Sequence, residues 1–208
     1  LIEETLNYVD LIVLVDDDCP FKTGNLIKKN IINERVIIIF NEYNLGVGGS
    51  TKKGFEYLLD SNIDIFIKLD ADGQMNPHQI PKLIKPIIEG KAEMTKGNRF
   101  LNLDNLSSMP KIRLFGNLCI SFLARAATGY WELFDSTNGF IAIDKNILKL
   151  INLNKLDNRY FFETDLLFRL GLLDAVVIEV DTDIIYENHI SSLNPIKEKR
   201  KFSIKLLL

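Results

Sequence analysis

The stretch IDIFIKLDAD, residues Ile63–Asp72, decides the fold of this chain. An apolar run typical of a buried β-strand ends here in two carboxylates, Asp70 and Asp72, and Gly73 follows them. Open α/β sheets bind their ligands at the carboxyl ends of parallel strands. Two acidic side chains separated by one residue are suited to share a hard divalent cation, which keeps other coordination positions for substrate phosphates. The stretch therefore predicts a metal site for a phosphorylated ligand.

A second acidic cluster, Asp16–Asp18, ends the earlier apolar run Leu11–Val15 in the same way. Carboxylates in loops often only cap helices or lie in solvent, and this alternative stays open for each cluster taken alone. Two strands that both end in Asp within one α/β pattern favour a site for a nucleotide and a metal ion.

The composition limits the classes of protein to which the chain can belong. Its 208 residues predict one domain, or one domain with a tail, and 47% of them are hydrophobic, which is enough for a core. A net charge of −3 argues against a nucleic-acid-binding protein, which needs a basic surface. The two cysteines, Cys19 and Cys119, indicate a reducing cytoplasm and no disulfide framework. We expect no secretory signal and no bilayer-spanning stretch within these residues.

The first half of the chain alternates between strand and helix patterns, which predicts βαβ units and a parallel sheet. The predicted strands there are Leu11–Val15, Arg35–Phe40 and Ile63–Leu69, and the predicted helices are Gly24–Ile32, Ser50–Leu59 and a third from Asn76 to Ile88. Thr23 and Ser50 are predicted N-caps. The second half predicts strands at Ala92–Thr95, Phe140–Ile143, Ala175–Val180 and Ile184–Tyr186, helices at Leu114–Ala127 and Glu163–Leu172, and a polar loop at Lys96–Arg113.

A glycine-rich turn, NLGVGGS at Asn44–Ser50, lies between a predicted strand and a predicted helix. Glycines let a backbone approach a ligand closely, and a helix N-terminus favours an anion. The turn lacks the Gly-Lys-Ser/Thr of a Walker loop, and taken alone it predicts only a structural turn.

Seven motifs follow one another along the chain: VDDD, NLGVGGS, KLDADGQMNP, KGNRF, MPKIRLFGN, DSTNGFIAI and FFETDLLFRL. The series resembles the inverting glycosyltransferases of family 2, which have the GT-A nucleotide-sugar fold. Within that family it is most similar to the dolichyl- or polyprenyl-phosphate sugar transferases. The resemblance covers nearly the whole chain and implies an α/β fold whose mixed, mostly parallel sheet is flanked by helices.

The resemblance also implies a division of the chain. We expect a catalytic domain over residues 1–195 and a basic, then apolar tail over residues 196–208, which is either the start of a membrane-proximal helix or a solvated end. Family members normally begin with a strand that ends in a Tyr-Asn-Glu-like motif. No such motif precedes Leu1, so we expect the first strand to be missing from this chain.

On the donor side, the resemblance implies residues that bind the nucleotide and a metal ion. The donor nucleotide would contact Asp16, Asp17, Asn44, Gly46, Gly48, Gly49 and Asp70. Mg²⁺ or Mn²⁺ on the donor diphosphate would be bound by Asp70, Asp72 and Gln74.

On the acceptor side, Arg99 and Arg113 match the arginines that bind the acceptor phosphate in lipid-phosphate transferases. Asp135 and the following Thr-Asn-Gly turn would line this side. Asp165, with its near neighbour Glu163, matches the acidic position where relatives that activate a hydroxyl keep a general base. A lipid phosphate is already an anionic nucleophile and has less need of a base. His189 is predicted to be either a surface residue or a further metal or phosphate ligand.

The resemblance thus implies a metal-dependent enzyme that moves a sugar from a UDP- or GDP-linked donor to a polyprenyl or dolichyl phosphate. We expect it at the cytoplasmic face of a membrane, with peripheral membrane contact and no nucleic-acid partner. Three alternatives stay open: a family 2 transferase that extends a glycan at a hydroxyl, a nucleotidyltransferase, and an inactive paralogue that only binds a partner.

Overall fold

The computed structural model describes residues 1–99, 121–136 and 138–182. The strands are β1 (Ile12–Asp16), β2 (Val36–Phe40), β3 (Ile65–Lys68), β4 (Met94–Asn98), β5 (Ile141–Asp144) and β6 (Val177–Asp181). The helices are α1 (Ile2–Thr5), α2 (Thr23–Asn30), α3 (Val47–Leu59), α4 (Ile80–Ile88), α5 (residues 121–128), α6 (Lys145–Lys149) and α7 (Phe162–Gly171). Short 3₁₀ turns lie at Pro77–Gln79 and Leu153–Lys155.

The described strands form two sheets. β1 and β2 pair in parallel, while the other four strands lie in the order β3-β5-β4-β6. β5 runs antiparallel to both β3 and β4, and β4 is parallel to β6. The sheet is mixed, as predicted, but its parallel share is smaller than predicted. The reason is that an apolar run such as Ile141–Asp144 indicates a buried strand without encoding its direction.

Helices cover both faces of the larger sheet. One core contains Phe55, Phe66, Phe162 and Leu166, from α3, β3 and α7. A second core packs α4 against the sheet through apolar residues that include Leu83 and Phe140. The α/β class is therefore confirmed as a layered arrangement, in which strands lie between helices.

A cavity of about 590 Å³ separates β1 from β3. It is lined by both strands along their length, together with residues of α1, α3 and α4. Within the described part of the chain, β1 pairs only with β2 and β3 only with β5, so both strands carry an edge without a described partner. The first strand implied by the resemblance stays a prediction.

Several predicted boundaries need correction. α3 begins at Val47 with Gly46 as its N-cap, and α2 begins at Thr23, so neither Ser50 nor Thr23 is a cap. β4 extends through Lys96–Asn98, which were predicted to be loop, because tertiary hydrogen bonds accommodate these polar side chains in a strand whose five residues are all buried. The predicted strand Ile184–Tyr186 and residues 114–120 of the predicted helix lie outside the described residues.

None of the helices that the structure describes is long and apolar enough to cross a membrane.

Candidate active site

The loop after β3 holds the two carboxylates that the sequence singled out. The Asp70 carboxylate is about one-third exposed, and its Oδ1 lies 2.6 Å from the Lys68 ammonium. Asp72 is exposed, and its Oδ1 accepts the backbone N–H of Gln74 at 3.0 Å. Gly73 has open space around it, but its φ of +78° is an angle that a residue with a side chain adopts only with strain.

This loop supplies hard oxygen ligands, but only a partial set for a metal ion. Asp70 and Asp72 offer two carboxylates, and Gln74 adds an amide oxygen nearby in sequence. Over residues 1–99, 121–136 and 138–182, no three His, Cys, Asp or Glu side chains are grouped closely enough to hold a metal by themselves. The arrangement fits a Mg²⁺ or Mn²⁺ ion that takes its remaining ligands from water and from substrate phosphates.

Directly behind the loop lies a buried cluster of opposite charges. The side chain of Lys68 is 5% exposed and also forms an ion pair with Glu163 at 3.2 Å. Burial lowers the pKa of the Lys68 ammonium, but the charges of Glu163 and Asp70 outweigh burial, so the pKa lies above its usual value. Lys68 therefore stays charged and holds Asp70 and Glu163 at one point of the structure.

Gly139 makes the meeting of these three side chains possible. A Cβ at position 139 would lie 2.5 Å from Lys68 Nζ, 3.0 Å from Asp70 Oδ2 and 3.4 Å from Glu163 Oε1. Any larger residue would push the charged groups apart, because a Cβ does not approach other atoms below about 3 Å. Gly139 of the DSTNG motif is thus required by this cluster.

The two acidic residues of α7 point to different surroundings. Glu163 is 8% exposed and faces the Lys68 cluster. Asp165 accepts the backbone N–H of Asp157 at 2.9 Å and pairs with Arg169 at 3.2 Å. The structure therefore brings Glu163 to the loop of Asp70, whereas Asp165 stabilises the segment that precedes α7.

Arg99 lies at the end of β4 and is held by Asp135. Its Nε and Nη2 each lie 2.6 Å from a carboxylate oxygen of Asp135, a bidentate pair, and its side chain is 13% exposed. Burial raises the pKa of Asp135, but Arg99 more than compensates and keeps that pKa below its usual value. Glu179 fixes the same segment, since it accepts the backbone N–H groups of Phe134 and Asp135.

Lys96 is a second buried cation beside this cluster. It is fully buried, and its ammonium donates to the backbone carbonyl of Asn138. Burial lowers its pKa to about 8, even though Glu163 and Asp135 favour the charged form.

The predicted nucleotide residues Asp16 and Asp17 bind the backbone in this structure. Asp16 accepts the N–H groups of Cys19 and Gly24, each at 2.7 Å. Asp17 accepts the N–H groups of Leu45 and Gly46, each at 2.8 Å. Burial raises the pKa of Asp17, but the hydrogen bonds it accepts more than offset this, so the pKa lies below its usual value.

The glycine-rich turn packs against protein. Gly49 donates to the Asn158 carbonyl, and a Cβ at Gly48 would collide with the Asp157 carbonyl and lie 2.8 Å from Phe162 Cβ. Asn44 binds the Arg159 guanidinium at 2.7 Å and donates to the Asp17 carbonyl. Hydrogen bonds and close packing therefore hold Asp17, this turn and residues 157–162 together on one side of the site.

Arg113 and His189 lie outside the described residues. The sequence analysis missed five polar residues of the site, namely the charged residues Lys68, Lys96, Glu179 and Arg159 and the amide Asn98. A lysine within an apolar strand that ends in carboxylates was the available signal for Lys68, because a buried cation needs an acidic partner.

The chain matches a known family over most of its length. The sequence profile of "Glycosyl transferase family 2" matches residues 1–151. The chain belongs to this family. The family 2 chain is similar to "UDP-N-acetylglucosamine--dolichyl-phosphate N-acetylglucosaminyltransferase" of Methanococcus voltae, with 35% identity over 167 residues that cover 74% of this chain and 66% of the relative. It is also similar to "Undecaprenyl-phosphate mannosyltransferase" of Micrococcus luteus, with 27% identity over 81% of this chain and 69% of the relative.

Solved structures share the fold of this chain. Mannosyl-3-phosphoglycerate synthase from Rubrobacter xylanophilus superposes with a TM-score of 0.69 at 14% identity, covering 99% of the family 2 chain and 66% of that structure. Glucosyl-3-phosphoglycerate synthase from Mycobacterium tuberculosis, in a complex with Mn²⁺, UDP and glucosyl-3-phosphoglycerate, gives 0.61 at 16% identity, over 96% and 67% of the two chains. At such identities these likenesses establish the GT-A-like fold alone.

Proposed function

We propose that this chain is the catalytic domain of a metal-dependent, inverting glycosyltransferase that transfers a sugar from a nucleotide-sugar to a polyprenyl or dolichyl phosphate. One observation carries the proposal: Asp70, the first carboxylate of the strand-end pair Asp70 and Asp72, binds the lysine of the buried Lys68–Glu163 ion pair. This arrangement occurs in a family 2 chain whose relatives include enzymes named for lipid-phosphate acceptors.

On the donor side, Asp70, Asp72 and Gln74 would hold Mg²⁺ or Mn²⁺ on the diphosphate of a UDP- or GDP-linked sugar. The ion, when bound, would stabilise the negative charge that develops on the departing diphosphate. Asp72 is exposed, and within the described part of the chain its carboxylate accepts one backbone N–H, that of Gln74, so it is available as the main ligand. Lys68 occupies Oδ1 of Asp70 and fixes the orientation of this carboxylate.

On the acceptor side, Arg99 and Arg113 would bind the phosphate of the lipid. Asp135 holds the Arg99 guanidinium in one orientation before any acceptor arrives, which reduces the entropy lost on binding. A phosphate oxygen would attack the anomeric carbon from the side opposite the diphosphate. The bond from this carbon to the acceptor oxygen forms as the bond to the diphosphate breaks, which inverts the configuration and requires no proton transfer.

A second acceptor class is favoured by one contact. Glu163, almost fully buried, is joined to Asp70 through Lys68, and this position supports a role as general base toward a hydroxyl. A family 2 enzyme that extends a glycan at a hydroxyl is therefore the second candidate. For the first candidate we propose that the protein works at the cytoplasmic face of a membrane, since its acceptor is a lipid.

A transfer assay with the full-length protein separates these functions. The protein is incubated with Mn²⁺, UDP- and GDP-sugars labelled in the sugar, and either polyprenyl phosphate or an oligosaccharide. We expect label in the lipid fraction and release of nucleoside diphosphate with polyprenyl phosphate only. Label in the oligosaccharide supports the second candidate, and no turnover indicates an inactive paralogue. In a parallel incubation with sugar-1-phosphate and NTP, release of pyrophosphate indicates a nucleotidyltransferase.

A further inference from the structure

The segment of α5 and the turn after it exposes three large aromatic side chains. Phe122 is 54% exposed, Trp131 is 58% exposed and Phe134 is 49% exposed. The proposed donor chemistry uses none of them. We call Phe122, Arg125, Trp131 and Phe134 the aromatic patch.

The four side chains of the aromatic patch lie next to one another. The rings of Phe122 and Trp131 meet edge to face, with centroids 6.3 Å apart. The Arg125 guanidinium lies 4.9 Å from the centroid of the Phe134 ring and also donates to the Trp131 carbonyl. The patch is therefore a continuous surface that combines apolar rings with one cation.

The backbone beneath the aromatic patch is firmly fixed. Leu133 is 3% exposed and packs in the core, and the Tyr130 hydroxyl donates to the Ala175 carbonyl at 2.6 Å. Glu179 accepts the N–H groups of Phe134 and Asp135. These contacts fix the turn, and its inward-facing side chains already fill the space beneath it. The exposed rings therefore cannot turn inward without breaking these contacts.

We propose that the aromatic patch is a docking surface for an anionic lipid bilayer. Tryptophan and phenylalanine beside a basic residue are suited to the interface between headgroups and acyl chains, where rings bury while cations bind lipid phosphates. The patch also continues into the acceptor side of the site, because Phe134 directly precedes Asp135, which holds Arg99. The inference rests on the proposed function in one respect: a lipid-phosphate acceptor requires the site to face a membrane.

Trp131 makes this inference directly testable, because it is the single tryptophan of the chain. Its fluorescence is measured as vesicles of phosphatidylcholine and phosphatidylglycerol are added, without any sugar donor. We expect a blue shift, quenching by lipids brominated on the acyl chain, and weaker binding in vesicles without phosphatidylglycerol. Because no transfer is measured, the outcome does not depend on the proposed reaction.

Two variants keep the tryptophan and provide the comparison. Phe122→Ser/Phe134→Ser should weaken vesicle partitioning by about tenfold or more, since two ring contributions to apolar burial are lost. Phe21→Ser is the matched control, because Phe21 is 82% exposed in a different loop, after β1, and its loss should leave partitioning unchanged. Circular dichroism checks that both variants fold.

Three results would overturn the inference. The first is a wild-type tryptophan spectrum that vesicles leave unchanged. The second is an equal loss of partitioning in Phe21→Ser and in the double variant. The third is a blue shift that grows with protein concentration in the absence of vesicles, which would assign the aromatic patch to contact between copies of this chain.

Discussion

Lys68 and Glu163 form a buried ion pair of 3.2 Å that joins β3 to α7. The same ammonium binds Asp70 at 2.6 Å, so one cation balances two carboxylates that come from different parts of the chain. Removing one partner from a buried pair leaves an uncompensated charge, which is more destabilising than replacing both partners. Lys68 therefore contributes both to the stability of the domain and to the position of the loop that carries Asp70 and Asp72.

Lys68→Met keeps the length of the side chain but removes its charge. It should destabilise the protein, because Asp70 and Glu163 are left to repel each other. We expect the free energy of unfolding to fall by about 3 kcal/mol. Urea denaturation followed by circular dichroism measures the change. Lys82→Met is the control, since Lys82 is an exposed partner of Asp181 and its loss should change stability by less than about 1 kcal/mol. Equal effects of the two substitutions would contradict the role of Lys68.

Lys96 should make stability depend on pH in the alkaline range. Its pKa is lowered from 10.5 to about 8 in the folded protein. Between these values the unfolded chain binds the proton and the folded chain does not, so the free energy of unfolding rises with pH. We expect the rise from pH 8 to 10.5 to amount to about 3 kcal/mol relative to Lys96→Met, which lacks this group.

The comparison of Lys96→Met with wild type isolates this residue from other groups that titrate in the same range. The pKa of Lys68 is raised, so the stabilisation that its charge provides is lost only as the pH rises above the ordinary lysine pKa. The two lysines therefore affect the free energy of unfolding in different pH ranges. Lys91→Met, an exposed lysine shortly before β4, is the control and should follow the wild-type curve. Parallel curves for wild type and Lys96→Met would show that Lys96 is not the cause.

Two glycines of α3 should respond in opposite ways to alanine. A Cβ at Gly48 would overlap the Asp157 carbonyl, whereas a Cβ at Gly54 would lie 3.6 Å from Val15, an ordinary contact. Gly48→Ala should lower stability by about 1–3 kcal/mol through overpacking. Gly54→Ala should raise it by about 0.5–1 kcal/mol, because alanine favours the helix. Thermal unfolding measures both, and a neutral Gly48→Ala would show that residues 157–162 do not pack on the turn as described.

The parts of this fold that follow from local pattern were predictable. The ends of β1, β2 and β3 were predicted to within one or two residues from their apolar runs. The amphipathic start of α7 at Phe162 was also close to its prediction. In these segments, the local side-chain pattern is sufficient to predict the type of element.

The missed features depend on residues far apart in the sequence. Lys96 lies in a strand because the Asn138 carbonyl, 42 residues later, accepts a hydrogen bond from its ammonium. Asp17 accepts the backbone N–H groups of Leu45 and Gly46, so a carboxylate of the acidic cluster is bound to the glycine-rich turn. Likewise, only the tertiary structure shows that Glu163 rather than Asp165 reaches the loop of Asp70. Single-sequence patterns carry no information on such pairings, although they identified the acidic residues themselves.

Asp72→Asn should abolish metal-dependent binding of the nucleoside diphosphate and leave the fold intact. The exposed carboxylate makes one local backbone hydrogen bond, which the amide oxygen of asparagine can also accept. Calorimetric titration of the full-length protein with UDP and GDP, with and without Mn²⁺, measures the effect. Asp64→Asn is the control, since Asp64 is an exposed carboxylate at the other end of β3. Unchanged affinity in Asp72→Asn with Mn²⁺ present would remove Asp72 from the metal site.

Glu163→Gln and Asp165→Asn together should reveal the class of acceptor. A positioned general base contributes about 10²–10⁴-fold to the transfer to a hydroxyl, whereas an ionised phosphate has no proton to lose. With polyprenyl phosphate as the acceptor, we expect each variant to lose less than about a hundredfold in kcat. The loss for Glu163→Gln should exceed that for Asp165→Asn, because Glu163 reaches the Asp70 loop and Asp165 pairs with Arg169.

The pH dependence of kcat completes this test, since a loss of stability alone leaves its shape unchanged. If Glu163 removes a proton from a hydroxyl, the acidic limb of the wild-type profile should disappear in Glu163→Gln, and the loss should approach about 10⁴-fold. That result, together with transfer to an oligosaccharide, would replace the lipid phosphate with a glycan hydroxyl as acceptor. A loss of the limb in Asp165→Asn instead would move the base to the position that the sequence alone favoured.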